Sequence, residues 1–164
     1  MPNYHSFDDV EKAVHSGIIR NEPELRQAFV EALKNEISRI CSSKSELVRY
    51  YMIPRLDETL KGRRPDIRLL NLVFEIEKPD GDLSRGRTQL HDYMKTLREI
   101  SGGITIHGIV LNGIHAEHWV LNDNNLTRRQ DGPMKDVVRR ALHEFCSEKM
   151  PVVKEEDLAD ILGV

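Results

Sequence analysis

The residues best suited to do chemistry in this chain lie in Arg63-Arg64-Pro65-Asp66 and in Glu75-Ile76-Glu77-Lys78 a little downstream. An otherwise apolar segment (Leu69, Leu70, Leu72, Val73, Phe74, Ile76) ends in acid, and a second acid stands just upstream. Carboxylates are costly to gather on a buried sheet unless a cation sits between them. A divalent metal is the partner these residue types point to. The plainer alternative is an amphipathic hairpin whose charged face is simply wet.

Spacing turns this into geometry. With Leu70-Asn71 at the tip of a two-residue hairpin, Asp66 lies across from Glu75 and Arg64 across from Glu77. Period-two alternation sets Arg64, Asp66, Arg68, Glu75 and Glu77 on one face, and Ile67, Leu69, Leu72, Phe74 and Ile76 on the core face. Opposed Cβ atoms stand about 4.5–5.5 Å apart, where like charges repel. Leu-Asn is not a favoured hairpin pair, so a bulge would shift this register.

Pro65-Asp66 followed by a strand ending acid-x-acid resembles the PD-(D/E)xK nuclease superfamily. Downstream, Gln89-Leu90-His91-Asp92-Tyr93 is similar to the Gln-x-x-x-Tyr element of its RecB-like and type I restriction motor-subunit branches. Upstream, Asn21-Glu22-Pro23-Glu24-Leu25-Arg26 resembles their acid-bearing first helix. The resemblance covers about Glu22 to Tyr93. It implies a restriction-endonuclease-like α/β core, a central mixed β-sheet flanked by helices. It also implies that Asp66, Glu75 and the carbonyl of Ile76 hold Mg²⁺ or Mn²⁺, with Glu22 joining through water. Gln89 would stand beside the metal-site residues, and Tyr93 near the nucleic-acid path. The plain readings of these outer residues stay open: Glu22 as a carboxylate at a helix N-terminus, Gln89 and Tyr93 as a polar-aromatic pair sharing a helix face.

One departure matters. The superfamily usually has lysine where this chain has Glu77, although Glu-x-Glu variants exist. In the resemblance Glu77 then activates water, or holds a second ion. Lys78 is the displaced lysine, and alternation aims it at the opposite face unless the strand bulges or ends before Pro79. Arg63, Arg64, Arg85 and Arg87 are the residues expected to hold flanking phosphates; Arg85 and Arg87 open a helix whose N-terminus also favours anions.

The expected activity is metal-dependent hydrolysis of DNA phosphodiesters. A catalytically silent DNA-binding module or subunit is the alternative. Paired carboxylates acting on a sugar are disfavoured, because only 5% of residues are aromatic and arginines surround the acids. Expected partners are DNA, a helicase, translocase or other restriction-repair subunit in trans, and a second copy in a homodimer.

At 164 residues the chain reads as one nuclease-like domain, 1–164, and its net charge of −3 argues against a generic polyanion binder. Cys41 and Cys146 have no metal-ligand spacing and read as free intracellular thiols. With no leader-like segment at the start and no run able to cross a bilayer, a cytoplasmic protein without a membrane partner is expected. There is no Gly-rich phosphate loop with a following lysine.

The elements that must position the acids alternate in type. Helices are expected at Phe7 to His15, at Glu22 to about Ser42, and at about Leu83 to Ser101. Strands are expected at Leu47 to Ile53, around the Asp66 hairpin, and at Ile104 to Leu111 and Ile114 to Leu121 across Asn112-Gly113. A helix follows Pro133, and a short one near Glu155 to Leu162 closes the chain. His115 and His118 should point to opposite faces, and His107 should be a hydrogen-bonded core residue.

Overall fold

Two capped helices open the molecule. In α1 (Phe7–His15) the Ser6 hydroxyl accepts from the Asp9 N–H while Asp9 accepts from the Ser6 N–H, a reciprocal capping box. In α2 (Glu22–Ile40) Asn21 accepts from the Glu24 N–H at 2.9 Å, and Pro23 occupies the first turn, where no N–H is missed. The apolar stripes of both helices meet: Phe7 stacks on Phe29 at 5.4 Å, and Phe29 leans on Phe74 of the sheet at 5.5 Å.

The computed structural model describes residues 3–41, 66–69, 71–101 and 103–148. The expected strand at Leu47 to Ile53, Arg63, Arg64, the Leu70 half of the hairpin tip and the short helix at Glu155 to Leu162 lie outside the described residues. Strands β1 (Ile67–Leu69), β2 (Leu72–Ile76), β3 (Ile106–Leu111), β4 (His115–Asn122) and β5 (Asn125–Pro133) form one sheet in the order 1-2-3-4-5. Helix α3 (Ser84–Ser101) joins β2 to β3, which run parallel; the other pairs are antiparallel. Helix α4 (Met134–Ser147) ends the described chain. The fold is α/β, a mixed sheet flanked by helices. Among the described residues no helix is long and apolar enough to cross a membrane.

The hairpin register is the expected one, with Ile67 opposite Phe74 and Leu69 opposite Leu72. Its second face is not solvated, however. Helix α3 covers it through Leu90, Met94 and Leu97, so both hairpin strands are buried throughout. Close approach requires Gly108 on β3, where a Cβ would stand 3.0 Å from Leu90 Cδ1 and collide with Met94 Sδ.

Three further findings correct the sequence reading. Strand β5 had no expected counterpart. The β3–β4 connection is longer than Asn112-Gly113 alone: Asn112 Oδ1 accepts from the N–H groups of Ile114 and His115, and Gly113 takes a φ of 89°. Cys41 and Cys146 are not free thiols but a disulfide, Cα atoms 5.4 Å apart, tying the end of α2 to α4. His107 and His118 behave as core residues. Both are fully buried and bonded ring to ring at 3.0 Å, with Glu148 on the far nitrogen of His107 at 2.7 Å. Burial, then His107 and Arg129, hold His118 down at about 3, so it is neutral at physiological pH.

Glu36 links three helices. It accepts from the Phe7 N–H at 2.8 Å and from Arg139 of α4 at 2.9–3.2 Å, and only 5% of it is exposed. Glu36→Ala strands a buried N–H and leaves Arg139 short of a partner. It should cost about 3 kcal/mol, the low end for a broken buried pair because Arg139 reaches solvent; urea unfolding measures it.

Candidate functional site

Asp66 stands one residue before β1, and the hairpin register carries it toward Glu75 and the end of β2. Its Oδ2 accepts the Ile76 N–H at 2.7 Å. Its Oδ1 lies 3.3 Å from Arg26 Nη2, which is also 3.5 Å from Glu22 Oε1. The first two turns of α2 thus deliver both a carboxylate and a guanidinium to the strand end. Glu22 and Arg26 are four apart and share a helix face.

Glu75 is only 6% exposed, and its Oε2 has no hydrogen-bond partner. Its carboxyl group adjoins that of Asp66, and each acts on the proton affinity of the other. Burial first, then the charges of Asp66, Glu77 and Glu22, push Glu75 up to about 9. Asp66 is also raised, by burial, against the opposing pull of the Ile76 N–H and Arg26. Glu77 is raised by its partial burial and by Glu22, with Arg85 opposing. The charge of Glu22 acts on Asp66, Glu75 and Glu77 alike, so the four acids share one neighbourhood.

Glu77 follows β2 and prolongs the ladder, its N–H donating to the Leu111 carbonyl at 2.8 Å. Gly86, in the first turn of α3, lets the helix come down beside it. A Cβ there would stand 2.6 Å from Glu77 Oε1 and 2.9 Å from Val110 Cγ2. Alanine usually gains about 1 kcal/mol over glycine in a helix. Here Gly86→Ala should instead lose about 1 kcal/mol through overpacking, which thermal unfolding can check. Asn112 braces the same end of the sheet: Nδ2 donates to the Gly81 carbonyl at 2.7 Å, and its own carbonyl accepts from the Asp80 N–H at 3.0 Å.

The other expected residues divide. Arg85 is exposed and faces Glu77 electrostatically. Arg87 grips Glu117 of β4 with two nitrogens, Nε donating to Oε1 at 2.7 Å and Nη2 to Oε2. Trp119 Nε1 donates to the same carboxylate at 2.9 Å. Gln89 is half-buried, and Tyr93 is buried, 9% exposed. Lys78 does not point into the core beside Phe74 and Ile76. Because β2 stops at Ile76, it is exposed in the turn that the Gly81 N–H closes onto its carbonyl.

Sequence reasoning missed Arg26 as the cation in this site, and Gly86 and Glu117 as its surroundings. Only the spacing of Arg26 from Glu22 hinted at the first. Among the described residues no three His, Cys, Asp or Glu side chains gather into a metal-binding cluster. The oxygen donors that suit a divalent ion are fewer: two adjoining carboxyls, one with an orphaned buried oxygen. This all-oxygen set matches a hard cation such as Mg²⁺ or Mn²⁺. Comparison with family models, with curated proteins and with solved structures found no match to this chain.

Proposed function

We propose that this protein is a metal-dependent nuclease hydrolysing DNA phosphodiester bonds. The observation that carries the reading is the Asp66–Glu75 carboxyl pair, Asp66 half-buried and Glu75 buried with Oε2 unpartnered, neighboured by Glu22 and Glu77. So many carboxylates converging in low dielectric is a cost that a binding site for a cation explains. In this reading Asp66, Glu75 and the Ile76 carbonyl hold Mg²⁺ or Mn²⁺. When bound, the ion supplies an acidified water and neutralises charge on the phosphodiester. Glu77, whose proton affinity is raised, accepts the proton of the attacking water. Glu22 orients a water at the rim, and Gln89 positions that side of the site. Exposed Arg85 holds a flanking phosphate better than Arg87, which is already committed to Glu117. Arg63, Arg64 and Tyr93 are further DNA contacts in the proposal. A helicase or translocase subunit in trans, a homodimer and a cytoplasmic location belong to it as well.

The Arg26 ion pairs favour one second reading, a nuclease-like domain that binds DNA without cutting it, because a guanidinium already neutralises part of the site. One assay separates the two: single- and double-stranded DNA incubated with Mg²⁺ or Mn²⁺, with binding measured in parallel across salt concentrations. Cleavage supports the nuclease. Salt-dependent binding without cleavage supports the silent module, and the absence of both cleavage and binding removes DNA from the account.

A further inference from the structure

Two arginines of this protein meet carboxylates in different ways. Arg87 takes Glu117 bidentately, the geometry of a strong, fixed pair. Arg26 touches Asp66 and Glu22 through a single nitrogen, at 3.3 and 3.5 Å, and its buried Nε has no partner. Its backbone is fixed inside α2, so only the side chain is free to swing. Beside the same Asp66, Glu75 Oε2 is buried and equally without a partner. The cationic position between Asp66 and Glu22 is filled, but weakly and incompletely.

We infer that Arg26 is a resident counter-ion of the carboxylate site, holding Asp66 and Glu22 together in the metal-free protein and yielding its place when a divalent cation binds. This rests on the proposed metal centre. The physical reason is competition. Two cations cannot both sit against one Oδ1 without mutual repulsion, and the ligand set must shed the guanidinium to reach the ion. Arg26 is a positioning residue here, and it sets the threshold of metal concentration at which the site loads.

The test is Mn²⁺ alone titrated calorimetrically into the full chain as wild type, Arg26→Gln and Arg26→Lys, with thermal unfolding of each variant with and without Mn²⁺. Arg26→Gln should bind Mn²⁺ about tenfold more tightly, equivalent to one charge-assisted contact no longer displaced. Without metal it should melt lower than wild type, and it should gain more from Mn²⁺. Arg26→Lys, which keeps the charge, should bind as wild type does. Equal or weaker Mn²⁺ affinity in a folded Arg26→Gln would overturn the inference while leaving the metal centre standing. No binding heat in any of the three proteins would sink the metal centre, and the counter-ion role with it.

Discussion

Asp66→Asn is expected to lower metal-dependent DNA cleavage by more than about a hundredfold, since even partners behind a metal ligand are worth 10–100-fold. The fold should survive. Asp66 has a structural duty as well as its proposed chemical one: Oδ2 accepts the Ile76 N–H at 2.7 Å and fastens β1 to the end of β2. Asparagine keeps an acceptor for that N–H but removes the charge that a divalent ion and Arg26 both need. Asp66→Ala removes both, so it should cut activity equally and also unfold at lower urea concentration. Measuring the pair separates chemistry from scaffolding. Asp66→Asn protein that cleaves at the wild-type rate in Mg²⁺ would end the assignment of Asp66 as a ligand.

Glu75→Gln should abolish cleavage and, unusually for a site residue, make the metal-free protein more stable at alkaline pH. In the fold the carboxyl is raised from the ordinary glutamate value of 4.5 to about 9, chiefly by burial and then by Asp66. The folded protein therefore holds a proton that the unfolded chain has lost across this interval. Folded-state affinity is the higher one, so the stability contributed by protonated Glu75 is full below about pH 4.5 and is lost as pH rises toward about 9. The slope from this one group is at most about 1.4 kcal/mol per pH unit. Glutamine carries no titrating proton, so its stability should be flatter across the same interval. Urea unfolding of both proteins at several pH values tests this. Parallel curves would show that Glu75 is not protonated in the fold. The trade fits a site kept at the expense of stability.

Much of the scaffold was legible because it is encoded locally. The spacing of Phe7, Val10 and Val14 and the Ser6–Asp9 capping box give α1 the bounds expected. Asn21 and Pro23 mark the start of α2 in the same way. The hairpin register followed from a two-residue tip at Leu70-Asn71 together with alternation, since a one-residue slip would turn Phe74 away from Phe29. Strand β5 was not legible. Its residues Thr127, Arg128, Arg129, Gln130 and Asp131 carry no apolar alternation, since it is an exposed edge held by backbone pairing to β4.

The candidate site divides along the same line. Sequence by itself determined which acids could act together, Asp66 with Glu75 and Glu77, because strand periodicity and a short hairpin fix neighbours within a dozen residues. Tertiary structure alone decided what surrounds them. Helix α3 closes over the face that alternation leaves open to water and keeps Glu75 buried, while Gly86 sets how near that helix comes to Glu77. Arg26 reaches Asp66 across forty positions of sequence, Arg87 finds Glu117 across thirty, and Cys41 meets Cys146 across 105. Such contacts depend on how helices dock on the sheet, and docking is set by the packing of whole faces, which no local spacing records.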